Sequence, residues 1–223
     1  MAVSARAPAR VVRLLENMVL RMLTLYYAPM SRASRVYQLC VELGALRNVN
    51  VVPVSIVRND GSGWVDAINP HPEGKVPLLD HDGEHIWETA AIFAYLTDLF
   101  PENGLAPMAG HTGRGQYLSW LTWYAGTLEP VMHFHLYKVE HPALQRTFRS
   151  LREVGRRLEA ALSGGGYLMG PQYSAADLLI ADAFAAVPDA MPPGAAVEEW
   201  VRRCRNRPSV TDTMIFDKQL AAE

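Results

Sequence analysis

Gly74-Lys75-Val76-Pro77-Leu78-Leu79-Asp80 leads through a turn at Asp82-Gly83 into Ile86-Trp87-Glu88-Thr89-Ala90-Ala91-Ile92. The run reads as a strand entered through a Val-Pro bond, a hairpin turn, a second strand and a helix opening on Glu-Thr. Proline at the head of a strand leaves an unpaired edge, and X-Pro is the one linkage for which cis is cheap. A cis Val76-Pro77 bond turns the N–H and C=O of Val76 outward, where an extended peptide can pair with them. Glu88 and Thr89 then stand at a helix N-terminus, which favours a carboxylate. The combination suits docking of a small peptide.

Upstream, Met22 to Tyr27 has strand character and stops at Ala28-Pro29. From Ser31 to Gly44 the apolar Val36, Leu39, Cys40 and Leu43 recur at helical spacing, with Gly44 as the natural stop. Val49 to Val54 reads as a second strand, and a short helix is expected before the prolines at 70 and 72. Downstream, the helix from Thr89 turns Ile92, Phe93, Leu96 and Leu99 inward. The first two strands, joined by a crossover helix, should run parallel and the last two antiparallel, a compact α/β unit.

Residues 103–112 read as a linker, and 113–223 as wholly helical. A helix over Gln116–Lys138 should kink at Gly126 and Pro130. Another is expected over Leu144–Leu162. A third opens at Ser174, with Asp177 closing an acidic capping box, and a last one covers Val197–Cys204. Residues 1–20 are basic and Ala-rich, and read as a disordered extension or a misassigned start rather than a targeting peptide.

Composition removes several function classes. A net charge of −2 over 223 residues offers nothing to nucleic acid or an anionic membrane, and no apolar run approaches the ~18 residues of a membrane span. Cys40 and Cys204 form no CxxC and no metal-ligand spacing, which argues against a disulfide scaffold or a dithiol enzyme. His133 and His135 lie two apart and cannot share a helix face, so no metal site is expected. A reducing cytoplasm is the default location.

In this order and spacing, Ser31-Arg32-Ala33-Ser34-Arg35, Gly74-Lys75-Val76-Pro77, Glu88-Thr89 and Ser174-x-x-Asp177 resemble the cytosolic glutathione transferases, over about residues 22–210. The resemblance implies an N-terminal thioredoxin-like α/β domain (βαβαββα, 21–102) and an all-α C-terminal domain. It also implies glutathione as co-substrate with no tightly bound cofactor, a hydrophobic electrophile as second substrate, and a homodimer. Carried over residue by residue, Val76 pairs with the cysteinyl unit, held by cis Pro77. Glu88 takes the γ-glutamyl ammonium, Thr89 the γ-glutamyl carboxylate, and Lys75 a glutathione carboxylate. Thr89 stands where the family usually has Ser.

The thiolate is the nucleophile, and a thiol near pKa 8.5 is only a few per cent ionised at neutral pH. Lowering that value by about two units takes nearly 3 kcal/mol of preferential stabilisation. A hydroxyl at a helix N-terminus can provide it. Ser31 matches the theta-like serine position, Ser34 is the second choice, and Tyr27 the third, since other classes use tyrosine at this strand end. Ser31 also reads as a plain N-cap. Met30, Trp120, Trp123 and Tyr124 are candidates for the electrophile pocket, although aromatics at helical spacing more often serve as core. The competing readings are a glutathione-dependent disulfide reductase or thiolyase using the same site, and a non-catalytic protein that kept the scaffold.

Overall fold

The computed structural model describes residues 23–222; the extension expected over residues 1–20 lies outside the described residues. Strand β1 (Leu23–Tyr27) is followed by helix α1 (Arg32–Glu42), a 3-10 turn at Leu46–Asn48, strand β2 (Val49–Pro53), strands β3 (Leu78–His81) and β4 (Glu84–Trp87), and helix α2 (Thr89–Leu99). The sheet runs in the order β2-β1-β3-β4. β1 pairs parallel with β2, Leu25 opposite Val51, and antiparallel with β3, Leu25 opposite Leu79. β3 and β4 form the expected hairpin, Leu79 opposite Ile86. Leu23, Leu25 and Tyr27 alternate into the core with no exposed surface.

No helix forms between β2 and β3, a correction to the short helix expected there. Residues 54–77 make turns instead. Asp60 Oδ1 accepts the N–H of Ser62 (2.9 Å) and Asp66 Oδ1 that of Ile68 (3.2 Å), local bonds that compete with helix. Gly61, Gly63 and Gly74 take positive φ, and Pro70 and Pro72 complete the interruption.

The helical half comprises α3 (Arg114–Trp123), a π-helical turn at Tyr124–Leu128, α4 (Glu129–Leu136), α5 (Pro142–Phe148), α6 (Leu151–Leu162), α7 (Ala175–Ala186), α8 (Ala195–Arg205) and α9 (Pro208–Leu220). The kink anticipated at Gly126 and Pro130 takes the form of the π turn, with Pro130 in the first turn of α4. The single helix expected over 144–162 is two: Arg149 takes φ +71° and Ser150, in extended backbone, heads α6. The Ser150-x-x-Glu153 pattern carried that boundary. Helix α9 falls within the region read as helical, but no separate helix was assigned to residues 208–220.

Two devices join the halves. The Ser174 capping box forms, and the N–H of Ala175 donates to Leu105 O in the linker (2.8 Å). Helix α1 also buries a polar face. Arg35 Nε donates to Asp182 of α7 (2.8 Å), Gln38 Nε2 to Ser209 of α9 (3.2 Å), and Glu42 accepts both Arg207 bonds (2.6 Å each). Among the described residues no helix is long and apolar enough to cross a membrane.

Candidate active site

A cleft of about 570 Å³ opens between the two halves. Its floor and sides come from four segments: the β1–α1 loop, the β2–β3 loop as far as Pro77, the start of α2, and the π turn and head of α4 in the helical half. Met30, Ser31, Lys75, Val76, Pro77, Glu88, Thr89 and Tyr124 all line it.

Ser31 is the N-cap of α1, because extended backbone (φ −128°, ψ −174°) brings its oxygen over the first helical N–H groups. Ser31 Oγ accepts the N–H of Ala33 (3.0 Å) and donates to Ala28 O (2.7 Å). The Val76-Pro77 bond is cis. Val76 lies ahead of the first β3 ladder pair, Leu78 with Tyr26. Lys75 is exposed and paired with Glu73, while its carbonyl is fixed by Asn69 Nδ2 (3.0 Å). Glu88, the residue before α2, holds φ +67° and ψ 119°, a conformation that costs a non-glycine residue about 1–3 kcal/mol. Thr89 follows it, buried at the first helical position.

The opposite wall is a charge network. Glu129 Oε1 accepts Arg32 Nε (2.7 Å) and the Tyr124 hydroxyl (2.6 Å), and Arg35 lies 3.8 Å away. Burial alone lifts the Glu129 carboxyl, but Arg32, Tyr124 and Arg35 outweigh it and hold it below the usual range. Burial likewise pushes the Tyr124 hydroxyl up, so it stays protonated as the donor.

Four of the expected residues lie elsewhere. The Tyr27 hydroxyl is buried and donates to Asp217 Oδ1 of α9 (2.6 Å). Burial first, then that bond, raises it far above an ordinary tyrosine, and Tyr27 does not line the cleft. Ser34 donates to the same oxygen (3.1 Å) and lines a second, smaller cleft of about 360 Å³ bounded by α7, α8 and α9. Trp120 and Trp123 meet edge to face at 5.3 Å, with the Arg157 guanidinium over both rings. They line neither cleft.

Several residues of the site carried no signal in the sequence. Arg58 lines the larger cleft and donates to Pro29 O (3.0 Å). His71 lines it too, with burial holding the imidazole below its ordinary value. Asp217 accepts the N–H of Met30 (2.9 Å) beside its bonds to Tyr27 and Ser34. Met30 is left-handed at φ +54°, which costs about 1–2 kcal/mol in an L-residue. A hydrogen bond to a carboxylate contributes roughly 1.5–3 kcal/mol, enough to offset the strain.

The family profile of the glutathione S-transferase N-terminal domain matches residues 25–104. Glutathione S-transferase GST-4.5 of Xanthomonas campestris is 28% identical over 120 residues, 50% of this chain and 59% of that protein. The matched segments span between 24% and 59% of the curated relatives' lengths. Among solved structures, a glutathione transferase of Methylococcus capsulatus superposes with a TM-score of 0.71 at 25% identity, covering 88% of this chain and 99% of that one. A sphingomonad glutathione S-transferase solved in complex with glutathione gives 0.68 at 24% identity, with 87% and 98% covered. Residues 25–104 thus match the glutathione S-transferase N-terminal domain family, and from β1 to α9 the chain has the glutathione transferase fold.

Proposed function

We propose that the chain is a glutathione transferase that binds the tripeptide in the larger cleft and ionises its thiol beside Ser31. The observation that carries this reading is convergence: Ser31, Val76-Pro77 and Glu88-Thr89 come from three separate segments and line one cavity. In this reading the backbone of Val76 pairs with the cysteinyl unit. The γ-glutamyl carboxylate sits at Thr89 on the N-terminus of α2, where the helix dipole and free N–H groups favour an anion. Glu88 takes the ammonium. Its strained backbone fits a ligand clamp, since such outliers concentrate where a side chain must be aimed. Lys75 and Arg58 are cations for the glycyl carboxylate.

The chemistry then follows. The thiol loses its proton to solvent, and the Ser31 hydroxyl turns from Ala28 O to donate to the sulfur anion. The thiolate attacks an electrophilic carbon, a C–S bond forms and the leaving group departs with its electron pair. Met30 and Tyr124 are the electrophile-side residues. A cytoplasmic homodimer completes the reading, supported by the exposed Val57, Trp64, Val65 and Ile68 of the β2–β3 loop, apolar surface that a second copy would cover.

The test is Ser31→Ala with a chromogenic aryl halide. Turnover at pH 7 should fall by roughly the thiolate fraction lost when the pKa returns toward 8.5, on the order of 10- to 50-fold. Glutathione affinity by calorimetry should stay nearly intact, and stability should drop by about 1 kcal/mol for the lost cap. An unchanged rate removes Ser31 from the mechanism. Failure of the folded wild type to bind glutathione removes the whole reading in favour of a non-catalytic scaffold. Release of a reduced thiol or a cleaved ether from a substrate panel, with no aryl conjugate, favours the reductase or thiolyase alternative.

A further inference from the structure

We infer that Asp217 of α9 is a positioning residue for thiol activation, holding the β1–α1 loop in the shape that sets Ser31 at the cleft. The inference rests on the reading above that the cleft binds glutathione and that Ser31 faces its sulfur. One carboxylate oxygen, Oδ1, gathers three donors from the segment leading into α1: the Tyr27 hydroxyl at the end of β1, the Met30 N–H and the Ser34 hydroxyl in the first turn of α1. Residue 31 lies inside that bracket. Ser31 and Met30 line both clefts, so the loop is a thin partition with open space on each side and little packing of its own.

The left-handed Met30 makes the anchor specific. A methionine leaves that conformation when nothing holds it, and its N–H is the group that Asp217 binds. Relaxation of Met30 carries the adjoining Ser31 with it, and with Ser31 the hydroxyl aimed at the sulfur. Helix α9 is itself fixed in place, with Phe216 stacked flat on Tyr37 of α1 (4.2 Å between centroids, 4° between planes) and edge-on to Tyr27. Asp217 therefore reaches the loop from a rigid support. It touches neither substrate nor sulfur and acts through Ser31.

The experiment compares Asp217→Ala and Asp217→Asn with wild type in the full chain, after circular dichroism has established folding. For D217A, kcat with the aryl halide should fall on the order of 10- to 100-fold, the scale of an approximately 1 Å misplacement. KM for glutathione should move by less than about threefold, because its other contacts stand. At saturating glutathione, the acidic limb of the pH profile for kcat/KM of the aryl halide should shift to higher pH. D217N keeps an acceptor oxygen at the same reach and should recover most of the rate. If D217A does not fold, D217E takes its place: it keeps the charge but displaces it by a methylene, and should show the same kcat loss. A folded variant with wild-type kcat and pH profile overturns the inference, as does a loss that only follows the folded fraction. If wild type itself neither binds nor turns over glutathione, the functional reading falls and this inference falls with it. A wild type that works beside an unaffected D217A sinks the inference alone.

Discussion

Replacing Asp177 by alanine should come close to unfolding the helical half. The carboxylate has no exposed surface and accepts four hydrogen bonds: Leu168 N–H at 2.8 Å, Ser174 N–H at 2.9 Å, Ser174 hydroxyl at 2.6 Å and Trp200 Nε1–H at 2.9 Å. The hydroxyl can turn to another partner. The three N–H groups cannot, since Leu168, Ser174 and Trp200 are themselves buried. Each orphaned buried donor costs about 1–3 kcal/mol, and disabling the capping box adds about 1 kcal/mol. Partial collapse and entry of water into the vacated space trim the sum, leaving a loss of roughly 4 kcal/mol against the 5–15 kcal/mol typical of a whole protein. Asp177→Asn keeps one acceptor but aims an amide donor at the others, so about half that loss is expected. Urea titrations followed by far-UV circular dichroism read both values from the midpoint at constant m. A D177A loss below about 1.5 kcal/mol would refute the assumption that these donors have no other partner.

The remaining predictions concern the joint between the halves and the thiols. Burial would lift the Glu42 carboxyl, but its bonds to Arg207 and Ser209 outweigh that and hold it below the usual range. A depressed folded value means that its contribution is fully present above the unfolded pKa of about 4.3 and is lost as the pH falls through the folded value. Glu42→Gln should therefore lower stability by about 1–3 kcal/mol at pH 7, a gap to wild type that closes below about pH 4; a gap independent of pH contradicts the ion-pair account. Burial pushes the Cys40 thiol up to about 12 and raises Cys204 as well. A maleimide at pH 7.5 should leave both cysteines unmodified by mass spectrometry in the native protein, and label both in guanidinium.

The parts of the molecule legible in the sequence are those whose signal is local. Val76-Pro77 and the Ser174 box announce themselves through residue types that suit one backbone geometry each, and Glu88-Thr89 through its place at the head of a helix. Helix α9 does not, because the face it buries consists of Ser209, Val210, Thr213 and Asp217. Helical periodicity is read from an apolar stripe, and a helix seated on polar partners offers none. The same cause hid Asp217: an acid beside Phe216 and Lys218 looks like surface until Tyr27 and Met30 are seen opposite it. The placement of Tyr27 and Ser34 off the larger cleft was hidden for the complementary reason. Sequence spacing puts both within a few residues of Ser31 but does not say which side of the loop each side chain takes. Trp120 and Trp123 show the same limit, since their spacing marks one helix face without naming what covers it. Arg157, from α6, covers it.

The span between Tyr27 and Asp217, 190 residues, has a consequence for biosynthesis. On the ribosome the sheet and its first helix can pair and pack while the helical half is still being made. The turn after β1 cannot be secured in that interval, because the carboxylate that tethers it emerges 190 residues behind Tyr27, after the rest of the helical half up to α9. The nascent domain thus acquires its architecture early and its working geometry only once α9 has emerged.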